Sequence, residues 1–324
     1  MKPRWLCWLC CLLPALAAAG EPQGDGQRWL ERMVAAAHKL DYSGTFVFQN
    51  AAFAETSRIV HFIEAGHELE RIEVLDGSPR EVLRSDDEVK CYLPESRTLI
   101  IENRSQQRSF PALAPAALAG LNEYYSLRKG PLVRVAGRES YSLLLEPRDG
   151  LRYGRQFWAD TRSGLLLKAA LLNERGEAIE SFTFTQLQIG GVIEKEALTS
   201  RYVTVSEGWQ VRNVHAAMQT RGENSAWKFK TMLPGFSKRA GMLRGPRPDL
   251  SESVHLIFSD GLAAISVFIE PSQGQDTQSE LGMLAMGATN VYRRVVGDHL
   301  LVLMGEVPQA TLKMFGDGIE EKKH

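Results

Sequence analysis

Between residues 45 and 188 the chain is a succession of short apolar or aromatic runs divided by turn residues, and this ordering restricts the fold more than any other feature. The runs 45–48, 58–63, 69–75, 88–93, 97–101, 140–146, 152–158, 165–171 and 180–188 are rich in β-branched and aromatic residues, which pack well on a pleated surface. Ala65-Gly66, Asp76-Gly77, Ser163-Gly164 and Arg175-Gly176 put glycine where a positive φ closes a tight turn. Parallel strands need long crossovers, so runs joined this closely predict an antiparallel meander.

One helix precedes them. Trp29, Met33, Val34, Ala37 and Leu40 recur at three- and four-residue spacing, with Asp25 placed to cap the first turn, so an apolar stripe must lie on something. The alanine- and proline-rich stretch 111–125 reads as a loop with a short helix. Beyond Gly190-Gly191 a second, smaller strand set follows at 209–218, 226–232, 253–259, 262–269, 291–296 and 300–305. A Gly-, Pro- and Arg-rich loop is expected at 239–249, a closing helix at 308–315 and a frayed charged tail after it. The reading is an α+β, mostly antiparallel β protein: a leader at 1–19, a large domain at 20–189, a linker at 190–204, a small α+β domain at 205–316 and a tail at 317–324.

The leader rests on Lys2 and Arg4, an apolar stretch over 5–16 and Ala17-Ala18-Ala19, the three parts of an export signal. A membrane anchor would need about 20 apolar residues. A lipoprotein signal would need a small residue before Cys10, where Leu9 stands. Of the 4 cysteines, Cys7, Cys10 and Cys11 leave with the leader. Cys91 then has no intramolecular partner, and stability must come from core burial. The formal net charge of −1 falls by two when Lys2 and Arg4 are removed, which gives no basic footprint for a nucleic acid.

Nothing in the chain assembles a catalytic or metal site. The 7 histidines show no i, i+4 pair, and phosphate-cradling, dinucleotide and nucleophile-elbow motifs are absent from the sequence. Cys91 sits in an alternating strand, where a buried inert thiol is the ordinary outcome. No catalytic residue, metal ligand or cofactor is expected.

The aromatic pattern says more. Phe46 and Phe48 share one strand face, Tyr153, Arg155 and Phe157 another, and Phe182 and Phe184 a third, because side chains alternate along a strand. Two readings stay open: a core covered by the first helix and 111–125, or a cavity for acyl chains or an apolar peptide, with Arg155 or Lys168 meeting a phosphate or carboxylate. In the second domain Trp227, Phe229, Phe236, Phe268 and Glu270 are either core or anchors for a partner segment.

Several motifs together resemble the RseB/MucB family. In the large domain they are Tyr42-Ser43-Gly44-Thr45-Phe46-Val47-Phe48, Pro147-Arg148-Asp149, Arg152-Tyr153-Gly154, Asp160-Thr161-Arg162-Ser163-Gly164-Leu165 and Phe182-Thr183-Phe184-Thr185-Gln186. In the second they are Leu233-Pro234-Gly235-Phe236, Asp260-Gly261-Leu262-Ala263, Ser266-Val267-Phe268-Ile269-Glu270-Pro271 and Gly305-Glu306-Val307-Pro308. Arg162-Ser163 lengthens one turn, and Pro234 stands alone where the family often has two prolines.

The resemblance implies a large curved half-barrel with covering helices, similar to lipoprotein carriers, and a smaller second domain. It implies a periplasmic negative regulator of the sigma-E envelope stress response. Such a protein binds the periplasmic part of an RseA/MucA-like membrane anti-sigma factor, shields it from proteolysis, and is relieved by lipopolysaccharide or lipoprotein acyl chains. The alternative is a periplasmic lipid or lipoprotein carrier with no anti-sigma partner. Self-association stays open, since exposed aromatics serve it as readily as recognition.

Overall fold

The computed structural model describes residues 24–85, 88–103, 120–214, 226–244, 253–272 and 281–322. The expected leader and residues 111–119 lie outside them. The described chain opens with α1 (Gly24–Lys39), followed by β1 (Tyr42–Asn50), β2 (Ala54–Glu64), β3 (His67–Val74), β4 (Glu81–Ser85), β5 (Glu88–Leu93) and β6 (Thr98–Asn103). The short α2 (Leu121–Tyr124) leads into β7 (Tyr125–Val135), β8 (Arg138–Pro147), β9 (Gly154–Asp160), β10 (Leu166–Leu172), β11 (Ala178–Ile189) and β12 (Gln210–Val214).

Among the described residues these strands make one 12-stranded sheet in the order β12-β6-β5-β4-β3-β2-β1-β11-β10-β9-β8-β7. Every pairing is antiparallel except that of β12 on β6. Laid flat, strands ~4.8 Å apart would hold β7 about 19 Å from β11. Their Cα atoms instead come within 8 Å, so the sheet curls into a half-barrel.

The apolar stripe of α1 lies in that curl. Leu30, Met33 and Val34 pack with Leu143, Leu145, Phe157 and Leu166, while Ala36 joins Tyr42, Ile59 and Phe184. Trp29 sits on Tyr141 at 4.8 Å. The helix starts at Gly24, so Asp25 is inside the first turn and not at the cap. Its far end is fastened by polar contacts: His61 Nδ1 donates to the Leu40 carbonyl at 2.8 Å, and His38 meets Glu68 at 3.0 Å. Burial pushes the Glu68 carboxyl up, but its bonds to His38 and His61 outweigh this and hold it at about 2.

The second domain comprises β13 (Trp227–Phe229), β14 (Ser237–Arg244), β15 (Ser253–Ser259), β16 (Ala264–Pro271), β17 (Gly282–Met286), β18 (Thr289–Val296), β19 (His299–Gly305), α3 (Gln309–Asp317) and β20 (Ile319–Glu321). Its 6-stranded sheet runs β14-β15-β16-β19-β18-β17, and β13 pairs with β20. Leu312 and Phe315 of α3 cover one face through Leu256, Phe258, Ile265, Val267, Leu301 and Leu303.

The structure corrects several expectations. Of the strand expected at 209–218 in the small domain, residues 210–214 form β12, which extends the large sheet, and 215–218 lie outside the described residues. The linker at 190–204 is strapped to the sheet: Arg201 pairs with Glu73 and with Glu81 at 2.8 Å, and Arg71 donates to the Ala197 carbonyl at 3.3 Å. Part of the loop expected at 239–249 is β14, while 245–249 lie outside the described residues. The described part of the tail is anchored where fraying was expected, because Ile319 of β20 is fully buried, while 323–324 lie outside the described residues.

Gly44 marks the tightest approach at the centre of the sheet. A Cβ there would stand 2.5 Å from the Gln186 carbonyl oxygen and 3.0 Å from the Phe184 ring. Gly44→Ala is expected to cost about 1–3 kcal/mol, the usual range for overpacking. A urea-unfolding midpoint equal to the parent's would show that β1 and β11 can yield there.

Candidate functional site at the domain junction

The seven residues expected to line a lipid cavity fall in three places. Phe46, Phe182 and Phe184 meet in tilted and edge-on contacts in the cluster that also holds Ala36 of α1, with Phe46 and Phe182 4.8 Å apart and Phe182 and Phe184 5.1 Å apart, and Phe48 packs partly buried against it. Phe157 lies farther along the same covered hollow. Tyr153 packs on Leu171 and Ala288, and its hydroxyl accepts a hydrogen bond from Asn290 at 3.0 Å. Arg155 reaches the second domain, donating to the Leu262 carbonyl at 3.0 Å and to Glu306 at 3.2 Å. Of the two arrangements left open by the sequence, the described residues form the covered one: α1 fills the hollow over the phenylalanines, and the small domain sits on Tyr153 and Arg155. Lys168 lies over the Trp158 ring, 4.7 Å from its centre.

The five residues expected to meet a partner also divide. Trp227 and Phe236 are buried in the small-domain core, and Phe229 packs on Phe258 at 5.0 Å. Phe268 and Glu270 alternate with the buried Val267 and Ile269, so they occupy the sheet face opposite α3. Phe268 stacks there on His255 at 4.1 Å. Among the described residues no group of His, Cys, Asp and Glu could hold a metal ion. Burial pushes the Cys91 thiol up, which disfavours the reactive thiolate.

What joins the two domains is a cluster the sequence reading did not single out. Arg152 and Asp260, from opposite domains, form an ion pair at 2.7 Å with both side chains 0% exposed. The same guanidinium binds Asp149 through two nitrogens, at 3.1 and 3.0 Å, and donates to the Pro234 carbonyl at 2.6 Å. Tyr125 donates its hydroxyl to Asp260 at 3.0 Å, and the backbone N–H groups of Leu262 and Ala263 bind the other Asp260 oxygen. The rings of Tyr124, Tyr125 and Phe236 surround the cation at 4.9, 5.6 and 5.2 Å.

Apolar contacts follow the same seam. Leu262 enters the large-domain core, and Leu151 packs against the small-domain core. The left-handed Gly235 lies so close that a Cβ would come 2.6 Å from the Tyr124 ring. The signal for this cluster was present in Pro147-Arg148-Asp149, Arg152-Tyr153-Gly154 and Asp260-Gly261-Leu262-Ala263. A pairing between residues so far apart in sequence has no local pattern, so it stayed invisible.

Comparison with known proteins places both domains. The model of the MucB/RseB N-terminal domain matches residues 25–202, and that of the MucB/RseB C-terminal domain matches 221–320. The chain belongs to the MucB/RseB family. It is 33% identical over 312 residues to the sigma factor AlgU regulatory protein MucB of Pseudomonas aeruginosa, covering 94% of this chain and 93% of that protein. It is 25% identical over 295 residues to the sigma-E factor regulatory protein RseB of Escherichia coli K12, covering 90% and 89%. A solved Pseudomonas aeruginosa MucA/MucB complex superposes with a TM-score of 0.73 at 29% identity, covering 93% of this chain and 100% of that one. Another, MucB in complex with MucA(peri), gives 0.71 at 30% identity over the same shares.

In this MucB/RseB chain, Arg152 is the main charged element of the junction. Removing one partner of a buried pair strands the other charge, at a cost of about 3–5 kcal/mol. Arg152→Ala is expected to lose stability of that order in urea unfolding and to expose the 226–322 half to limited proteolysis. A loss below 1 kcal/mol would rank the pair with exposed surface bridges.

A second acidic group at the seam ties folding stability to pH. Burial, together with the Glu306 carboxylate, pushes Glu180 up to about 7 against the opposing pull of Arg155. The unfolded side chain titrates near 4.5, so the folded state holds the extra proton between these two values. This contribution to stability is therefore full at acid pH and is lost as pH rises from about 4.5 to about 7. Glu180→Gln should flatten that part of the curve of thermal midpoint against pH. Parallel curves for parent and variant would remove Glu180 as its source.

Proposed function

We propose that this chain is a periplasmic regulator that binds the periplasmic part of a membrane anti-sigma factor and shields it from proteolysis, so that the cognate sigma factor stays sequestered. The observation that carries this reading is the likeness to MucB bound to MucA, which covers 93% of this chain and so reaches both domains. A lipid or lipoprotein carrier needs only the curled sheet. Here the second domain is fixed to that sheet by a desolvated ion pair, which suits a two-domain binding surface. The role asks for no catalytic residue, and recognition alone supplies it.

Phe268 and Glu270 are the anchors we assign to the partner, since they lie on the sheet face that α3 leaves open. Trp227, Phe229 and Phe236 support that face from within. Lipopolysaccharide or lipoprotein acyl chains would relieve the inhibition by occupying the hollow over Phe46, Phe157, Phe182 and Phe184, which requires α1 to lift. Binding of lipid to a state that holds the partner less well must weaken the partner by the same factor.

Calorimetric titration of the exported chain with the periplasmic segment of its own anti-sigma factor tests this reading. Binding at micromolar concentration or tighter is expected, weakening when lipopolysaccharide is added. Lipid binding with no segment binding would replace the regulator by the carrier.

A further inference from the structure

A buried polar row crosses the otherwise apolar curl of the large sheet. Tyr42 pairs with His61, His61 with Glu70 and Glu70 with Arg84, so these side chains lie next to one another on β1, β2, β3 and β4, on the face that α1 covers. His61 is 0% exposed and Glu70 3%. The Tyr42 ring stacks on the His61 imidazole at 4.7 Å, and Arg84 donates to Glu70 at 2.8 Å. Burial, with the Glu70 and Glu68 carboxylates, pushes the Tyr42 hydroxyl well up, so it stays neutral beside them. Asp41 accepts from the Ile63 N–H at 2.9 Å, and Lys39 of α1 is exposed.

Hydrogen-bond capacity fixes the state of His61. Its Nδ1 stands 2.8 Å from the Leu40 carbonyl, which can only accept, and its Nε2 stands 3.2 Å from a Glu68 oxygen. Glu68, held at about 2, is a carboxylate and also can only accept. A neutral imidazole has one N–H, so only the doubly protonated ring donates to both. The other Glu68 oxygen meets His38, in the last turn of α1, at 3.0 Å. One carboxylate thus joins a histidine of the helix to a histidine of the sheet, and the sheet histidine also holds the carbonyl that follows the helix. Ties nearer the start of α1, from Asn122 to Gln27 and from Arg32 to the Arg162 carbonyl, involve no group that titrates near neutrality.

We infer that doubly protonated His61 is a latch that keeps the C-terminal half of α1 over the phenylalanine hollow, and that loss of this proton frees the helix to lift. Without the proton, a lone pair meets an oxygen at one of the two contacts, in a site closed to solvent. Histidine ordinarily changes charge between about pH 5 and 8. His38 is held above its ordinary value, chiefly by the bond to Glu68 and against the effect of burial, with Glu70 adding a smaller pull. A raised histidine stabilises the folded state fully below its unfolded value, and this is lost as pH rises through the folded one. The clamp is therefore closed in acid and opens toward alkaline pH. Ala36 lies one turn before Leu40, in the cluster that holds Phe46, Phe182 and Phe184, so this end of the helix uncovers that surface. The use of the lid rests on the lipid entry proposed above, whereas its opening is read without lipid or partner.

Thiol labelling of a buried reporter on α1 tests the latch. In the exported two-domain chain carrying Cys91→Ser, Ala36→Cys is modified when the helix lifts, and an unfolded peptide thiol at each pH corrects for thiolate content. The corrected rate is expected to rise by about tenfold between about pH 6 and about pH 9, while Thr311→Cys, buried on α3, shows no such rise. Glu68→Gln separates a latch from a fixed pin. Its amide donates to the Nε2 of a neutral His61, so the second proton is no longer needed and the rise should vanish with the helix closed throughout. Equal rates at both pH values, a rise that persists in Glu68→Gln, or an equal rise at Thr311→Cys would each overturn the latch. Opening as expected, with lipopolysaccharide binding indifferent to pH, would instead sever the lid from lipid entry.

Discussion

The buried contact between Arg152 and Asp260 decides how the two halves of the molecule face each other. Desolvating two charges costs several kcal/mol per ion, and the cost is offset only where the geometry is good and further hydrogen bonds complete the shells. Both conditions hold here. Asp149, the Pro234 carbonyl, Tyr125 and two backbone N–H groups complete the shells, and three aromatic rings exclude water. Such a cluster tolerates little displacement. An apolar seam would allow the domains to slide, whereas this one specifies a single docking position, carried outward by Leu262 and Leu151.

The large domain solves a different problem. A curled sheet leaves an apolar hollow, and α1 fills it with Leu30, Met33, Val34 and Ala36. The helix is held along its length by packing and at its end by the His38–Glu68–His61 contacts. On the other side of the sheet, the chain between the domains is pinned by Arg201 and Arg71 to two buried or nearly buried glutamates. The connection is thereby part of the large domain and not a tether.

Periodicity and turn chemistry made most of the strands legible. The runs at 88–93 and 253–259 coincide with β5 and β15, and the other strands expected in the large domain lie within a few residues of those formed. The strands missed have separate causes. β4 carries Glu81 and Arg84, and its buried Glu81 finds its partners, Arg71 and Arg201, elsewhere in the chain. The alternation of β7 is interrupted by Lys129-Gly130-Pro131, and β20 is too short to show a period. Alternation along a strand puts aromatic residues on shared faces, but whether a face is open or covered depends on what packs on it. The junction was the least legible part, since Arg152 and Asp260 meet through tertiary structure alone.

The centre of the large sheet is the pairing of β1 with β11, which joins residue 42 to residue 189. Delivered N-terminus first, β1 waits for the whole stretch up to residue 189 before it meets β11. Throughout that interval β1 lacks one neighbour and the hollow for α1 lacks its far wall. Non-local pairing of this kind is also slow in itself. The fold therefore carries a built-in delay, during which its most aromatic strand depends on the solution around it to stay unaggregated.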